Sequence, residues 1–407
     1  MNLLTLLRSR FLIFDFRFPI CGSSACAKAT ADKATPLQRR DQSRDHVVTC
    51  NGTHVARLSS THEVRLARRD GSEAANRQSK IGNRQYVAIP ILSCLVLAGC
   101  ISNNKALEDN PLSSTQIEMS LSRARAPQQF GFSIFAVEGG IAYAGQGRLH
   151  PNHFTSAEMI EENIPVIKMR GRSQRDTMNA LVDTSSPVSW MEFSTSQDFR
   201  AHFMGINDKV IPYRGNYNTG GVPAFAAVVT QLRIDNLFIE SVPFYIRMSQ
   251  GSLGPLARGI RKPEIDAVFG YDNLRSFEYV QFDLQNDTIG FSASHRYTPN
   301  PDLLLDVAKI VNAPGHGLAI EGRLDDQPTP VILDFAGDFS LARGDIKVAT
   351  TRQLQMGHLP FRDVPTLVLP THTAPPRVGR KLLVPYLITI CNKEGLVYFE
   401  KAMEDSE

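Results

Sequence analysis

Little in this chain marks a familiar cofactor or metal chemistry. Gly145-Gln-Gly147 lacks the third glycine and the following helix of a nucleotide loop, and no Gly-x-Ser-x-Gly elbow presents a serine nucleophile. His150 and His153 have no cysteine or carboxylate set at metal-ligand spacing, so neither a metal nor another cofactor is expected. Long amphipathic helical patterns are missing, and so is any basic helix or aromatic-interleaved basic patch, which argues against nucleic acid as a partner. Tryptophan occurs once, at Trp190, and cysteine six times in 407 residues. The net charge is only +3, with the basic excess crowded between Arg39 and Arg77. What remains, 42% hydrophobic and 21% charged, is an ordinary globular balance with material for a core.

An apolar stretch runs from Tyr86 to Cys100, preceded by Arg77, Lys80 and Arg84 and closed by Leu97-Ala98-Gly99-Cys100. It is too short to remain in a bilayer as a spanning helix. The basic flank, short apolar region and small-residue ending make an export signal over 81–100. That ending resembles the lipobox of bacterial lipoproteins. The resemblance implies that Cys100 is lipidated and becomes the first mature residue, held at the cell envelope at the outer membrane or its periplasmic face. Residues 1–80 show no sustained period and read as a leader upstream of the true start. Cys21, Cys26, Cys50 and Cys94 all precede Cys100, and Cys391 lies in an apolar run as a small buried hydrophobe, so no disulfide framework is expected.

Beyond the signal, 101–155 reads as a tether and entry segment, polar from Ile101 to about Gln129. From Phe130 the pattern becomes short apolar runs broken by Gly, Pro, Asn and Asp, the signature of an all-β domain. Strands are expected at Ile164–Met169, Asn179–Val182, Ala224–Ile234, Val242–Arg247, Tyr279–Leu284 and Thr288–Ser292 in a first part, 156–300. In the second part, 301–407, they are expected at Gly317–Leu324, Val331–Leu333, Tyr386–Cys391 and Gly395–Phe399.

Laid side by side, the two parts repeat. Each opens with a hairpin whose second strand ends in aspartate, Asn179-Ala-Leu-Val-Asp183 and Pro330-Val-Ile-Leu-Asp334. Each then has an apolar element ending in glycine, Val268-Phe269-Gly270 and Val378-Gly379, and a closing hairpin. Asp183 is followed by Thr184-Ser185-Ser186, with Trp190 seven residues after it. From Ile164 to Phe399 the chain therefore resembles the pepsin and retropepsin superfamily of aspartic proteases. The resemblance implies a two-lobed all-β fold with the lobes related by a pseudo-twofold, the second lobe smaller, and Asp183 facing Asp334. Two such carboxylates cannot both ionise cheaply and share a proton, one activating a water as base while the other polarises a peptide carbonyl. It further implies that Thr184 bonds across to the opposite loop, that Ser185 stands mildly off a glycine position, and that the Ser186 hydroxyl bonds to the outer oxygen of Asp183. Tyr213 or Tyr217, in the glycine-bearing stretch Ile211–Gly221, would then be carried by a flap closing over substrate.

The second loop departs from the family pattern. Phe335 stands where a hydroxyl is expected and Ala336 where glycine is expected. Two functions follow. One is a membrane-tethered endopeptidase that takes extended peptides and uses Asp183 and Asp334. The other is a protease-derived protein, catalytically inactive, that binds peptides or protein partners at the envelope.

Overall fold

The computed structural model describes residues 110–403, apart from 138–139, 151–153, 207–208, 216, 252, 345–346, 348 and 370–373. The leader, the signal, Cys100 and His153 lie outside the described residues. The described chain is mostly β, and among its residues no helix is long and apolar enough to cross a membrane. Part of the expected tether is structured. Helix α1, Ser114–Leu121, is closed at its start by a capping box between Ser113 and Gln116. Leu112, Phe130 and Phe132 behind it are buried.

A six-stranded antiparallel sheet joins the two halves of the sequence. Its order is Phe154–Glu161, Thr288–Ser292, Tyr279–Asp283, Tyr386–Cys391, Leu396–Lys401 and Leu304–Val311, so each half gives three strands in mirrored order. The central pair carries Gln281 opposite Thr389, with Gln281 Nε2 donating to Thr389 Oγ1 at 2.9 Å. Tight turns set the registers. Ala224–Ile234 pairs with Leu237–Arg247 through a two-residue turn, Asp235-Asn236, in which Asp235 takes φ 50°. Thr350–Met356 and Leu359–Val368 turn in the same way through Gly357 at φ 57°.

Each half also builds the same crossing around its aspartate. In the first, Ala267–Gly270 lies parallel to Thr177–Asp183 and antiparallel to Trp190–Glu192, bringing Gly270 beside Asp183. In the second, Arg377–Gly379 lies parallel to Val331–Asp334 and antiparallel to Leu341–Arg343, bringing Gly379 beside Asp334. A long hairpin strand runs parallel to the outer member each time, Tyr245 opposite Trp190 and Thr366 opposite Leu341. Short helices follow both glycines, Tyr271–Leu274 and Arg380–Leu383.

The glycines are required by packing. A Cβ on Gly270 would press into the carbonyl oxygens of Val188 and Ser186, the fifth and third residues after Asp183. A Cβ on Gly379 would press into those of Phe339 and Gly337, the fifth and third after Asp334. Backbone cannot give way as a side-chain tip can. Gly270→Ala and Gly379→Ala should therefore each cost about 1–3 kcal/mol in denaturant unfolding. Gly290→Ala, whose new methyl would meet Phe154 and Gln281 at ordinary distances of 3.4–3.5 Å, should stay within about 0.5 kcal/mol of wild type. Equal losses at all three positions would contradict the close-approach argument.

Candidate active site

Asp183 and Asp334 stand at the ends of equivalent strands, and both are fully buried. The loops that carry them touch directly. Thr184 Oγ1 donates to the carbonyl of Leu333 at 2.6 Å, and the N–H groups of Leu318 and Gly317 donate to the carbonyls of Thr184 and Ser185 at 2.7 and 3.1 Å. Gly317 is needed there, since a Cβ would lie 2.7 Å from the Ser185 carbonyl carbon. The cross-loop bond expected of Thr184 is thus present. Its counterpart from the second loop is not, because position 335 has no hydroxyl.

Phe335 finds room elsewhere. Its ring stacks on Phe282 in the joining sheet, with centroids 3.9 Å apart and planes 13° from parallel, and is wholly buried. Ala336 turns the other way, into the cluster with Trp190, Leu253 and Leu256. The second loop has an apolar contact where the first has a polar one.

The two carboxylates have different surroundings. Asp183 Oδ1 accepts from the Ser185 N–H at 2.9 Å, the Ser185 hydroxyl at 2.8 Å and the Ser186 N–H at 3.2 Å, while Oδ2 accepts from Arg258 Nε at 2.9 Å. The hydroxyl expected of Ser186 belongs instead to Ser185. Ser186 Oγ donates to the Val188 carbonyl at 2.7 Å, because the turn aims its side chain back along its own loop. Neither oxygen of Asp334 has a hydrogen bond. Two guanidinium nitrogens approach Oδ2 at ion-pair distance only, Arg258 Nη1 at 3.4 Å and Arg377 Nη1 at 3.6 Å. Burial, with the charge of Asp183, pushes the Asp334 carboxyl above its ordinary range, against the pull of Arg258 and Arg377.

Arg258 is the residue that sequence reasoning missed. It follows the 3-10 turn Gly254–Ala257 in the left-handed conformation, φ 57°, and sends its side chain inward to 15% exposure. There it bonds Asp183, approaches Asp334, contacts the Ser185 hydroxyl through Nη2 and lies 5.9 Å from the centre of the Tyr217 ring. One guanidinium therefore bridges the two carboxylates. A strand pattern cannot announce such a residue, since Gly254-Pro-Leu-Ala-Arg258 reads as a loop.

Tyr213 and Tyr217 both come onto Trp190. Tyr213 meets it edge-on at 4.5 Å and Tyr217 is stacked at 6.2 Å, while the Tyr213 hydroxyl accepts the Tyr217 N–H at 3.0 Å. Tyr217 is the one beside the carboxylates, and burial followed by the charge of Asp183 raises its phenol pKa. Its hydroxyl and Trp190 Nε1 are buried without partners. Behind Trp190, Ser189 Oγ donates to Asp272 at 2.6 Å and accepts the Gly270 N–H at 2.9 Å, and burial pushes Asp272 up to about 6. Cys391 is buried as a free thiol, which burial pushes up to about 12. Among the described residues no group of three or more His, Cys, Asp or Glu stands ready for a metal ion.

No family model matches this chain, and no curated protein matches it.

Two substitutions separate the polar and apolar latches. Thr184→Val leaves the buried Leu333 carbonyl without its donor and should cost about 1–3 kcal/mol of unfolding free energy. Phe335→Ala empties a buried ring position and should cost about 3–5 kcal/mol. A Phe335→Ala protein of wild-type stability would show that the Phe282 stack does not hold the halves together.

Proposed function

We propose that this protein is an aspartic endopeptidase in a resting form, built on a two-lobed pepsin-like fold, with Asp183 and Asp334 as its catalytic pair. The observation that carries the reading is the convergence of two carboxylates, from equivalent strands of the two halves, on one guanidinium. Asp183 is met by four hydrogen-bond donors and Asp334 by none, which divides the roles. Asp183 is the base that takes a proton from water, and Asp334, the member that keeps a proton more readily, is the acid toward the scissile carbonyl. Tyr217, beside both, would close over an extended peptide. The anchor at Cys100 and the envelope location complete the proposal, with peptide or protein chains outside the membrane as substrate.

In the resting form Arg258 holds the position the attacking water needs. While it is there, its positive charge faces both carboxylates. A specific observation favours the alternative of a catalytically inactive peptide-binding protein: the second loop lacks the reciprocal cross-loop hydroxyl at Phe335. Both readings predict that this site takes an extended chain, and they part on hydrolysis.

Removing the guanidinium tests this. Arg258→Ala should cleave a mixed peptide library at acidic pH at least about tenfold faster than wild type, the equivalent of about 1.4 kcal/mol in the barrier. Adding Asp183→Asn or Asp334→Asn to it should abolish cleavage. Cleavage that survives Asp334→Asn would overturn the assignment, while tight binding of a pepstatin-type mimic without cleavage would favour the inactive reading. The same variant removes the one cation that meets both buried carboxylates, leaving Asp183 its loop donors and Asp334 only Arg377 at 3.6 Å, at a cost of up to about 3–5 kcal/mol near neutral pH. Arg258 is the strongest influence that lowers the Asp334 pKa, so without it that folded-state pKa rises further and the variant should regain stability on acidification and lose it as pH rises through that value. A pH-independent loss would contradict the ion bridge.

A further inference from the structure

A second site lies in the first half of the sequence, on elements that the proposed catalytic pair does not use. A cavity of about 750 Å³ opens between α1 and the second helix, α2, Phe193–Asp198. Phe193 and Phe203, both nearly buried, are among the residues that line it. Three arginines from two separate chain segments also line it, Arg123 and Arg125 after α1 and Arg200 after α2, and no lining residue is acidic. Each guanidinium is without an ion pair or hydrogen bond among the described residues. Elsewhere Arg148, Arg258, Arg296, Arg343, Arg377 and Arg380 each sit within ion-pair distance of a carboxylate, whereas here three cations share one cavity with none.

The frame around these arginines is fixed before any ligand arrives. Arg125 is held as a bridge beside Met204, its N–H donating to the Phe203 carbonyl at 2.8 Å and its carbonyl accepting the Gly205 N–H at 2.9 Å. The Arg200 N–H donates to the Gln197 carbonyl at 3.0 Å. α1 is pinned by its capping box and by Ile117 and Leu121 against the core. The local field is already positive at His202, whose imidazole is held below its ordinary pKa by burial and by Arg125. His202 is therefore neutral near pH 7, and the cationic charge is that of the arginines. The hydroxyls of Ser120 and Ser196 also line the cavity, although each is turned to a backbone carbonyl of its own helix in this state. Met119, 61% exposed, stands at the rim.

We infer that this cavity binds a phosphate ester. Three arginines lining one cavity from two chain segments offer planar guanidiniums that suit a tetrahedral oxyanion through bidentate hydrogen bonds. The apolar residues Phe193, Phe203 and Met119 suit the organic part of the ester better than they suit a bare inorganic ion. The ester comes either from a soluble metabolite or from the headgroup of an anionic phospholipid.

The full chain is titrated with glycerol phosphate in solution and, separately, with phosphatidylglycerol and phosphatidylcholine vesicles. Binding of glycerol phosphate at one site per chain identifies a soluble ester. Binding confined to phosphatidylglycerol vesicles identifies the lipid. In either case Arg123→Gln, Arg125→Gln and Arg200→Gln should each weaken binding about fivefold, the equivalent of about 1 kcal/mol per cationic contact. The triple variant should fall to the level of the phosphatidylcholine control with its thermal unfolding unchanged, because none of the three takes part in an ion pair. Binding of neither probe, or a triple variant that binds as wild type does, would overturn the inference. So would an equal loss in an Arg172→Gln, Arg175→Gln control, which would mark a diffuse surface-charge effect.

Discussion

Two buried carboxylates impose the constraint on which the rest of this structure depends. Taking one carboxylate out of water costs several kcal/mol, and placing a second beside it adds repulsion. The chain meets this with one guanidinium across the pair, a second at the rim of Asp334, and three donors from Thr184-Ser185-Ser186's own loop to Asp183. Much of what positions these groups is backbone: the paired parallel strands, the two glycines packed against the loops, and the Gly317–Ser185 contact between halves. The carboxylates stand at the ends of strands, whereas Arg258 follows a 3-10 turn.

The internal repeat and its asymmetry have the same origin. The joining sheet needs both halves to present three strands in mirrored order, so backbone hydrogen bonding preserves the repeat without help from side chains. Side chains at the loops face no such restriction. Thr184 makes a polar link to Leu333, whereas Phe335 is part of the core and stacks on Phe282. Stability is served in either way. The hydrogen bonding of the pair is asymmetric, and both oxygens of Asp334 are without a hydrogen bond.

Much of this was legible in the sequence, and the exceptions are physical. Strands with strong apolar runs, such as Ala224–Ile234 and Tyr386–Cys391, and hairpins with turn residues at the bend fell where expected. Phe154–Glu161 was not among them, because its inward face is Thr155, Ala157 and Met159, with too little contrast to show a period of two. Leu304–Val311 and the hairpin from Thr350 to Val368 were missed for a similar reason, since charged residues and prolines interrupt their apolar positions. The aspartates, Thr184 and Trp190 came from local motif, which a linear chain records well. Arg258 did not, because what makes it matter is a tertiary approach across 75 residues of sequence. The hydroxyl of Ser185 replaced that of Ser186 for a local reason, the direction in which a turn points adjacent side chains.

An experimental electron-density map of the full chain at neutral pH tests the central claim most directly. The account predicts continuous density for the Arg258 guanidinium between the two carboxylates, with Nε in hydrogen-bond contact with Asp183 and no water shared by the pair. Density for a water held by both Asp183 and Asp334, with Arg258 turned to solvent, would contradict it.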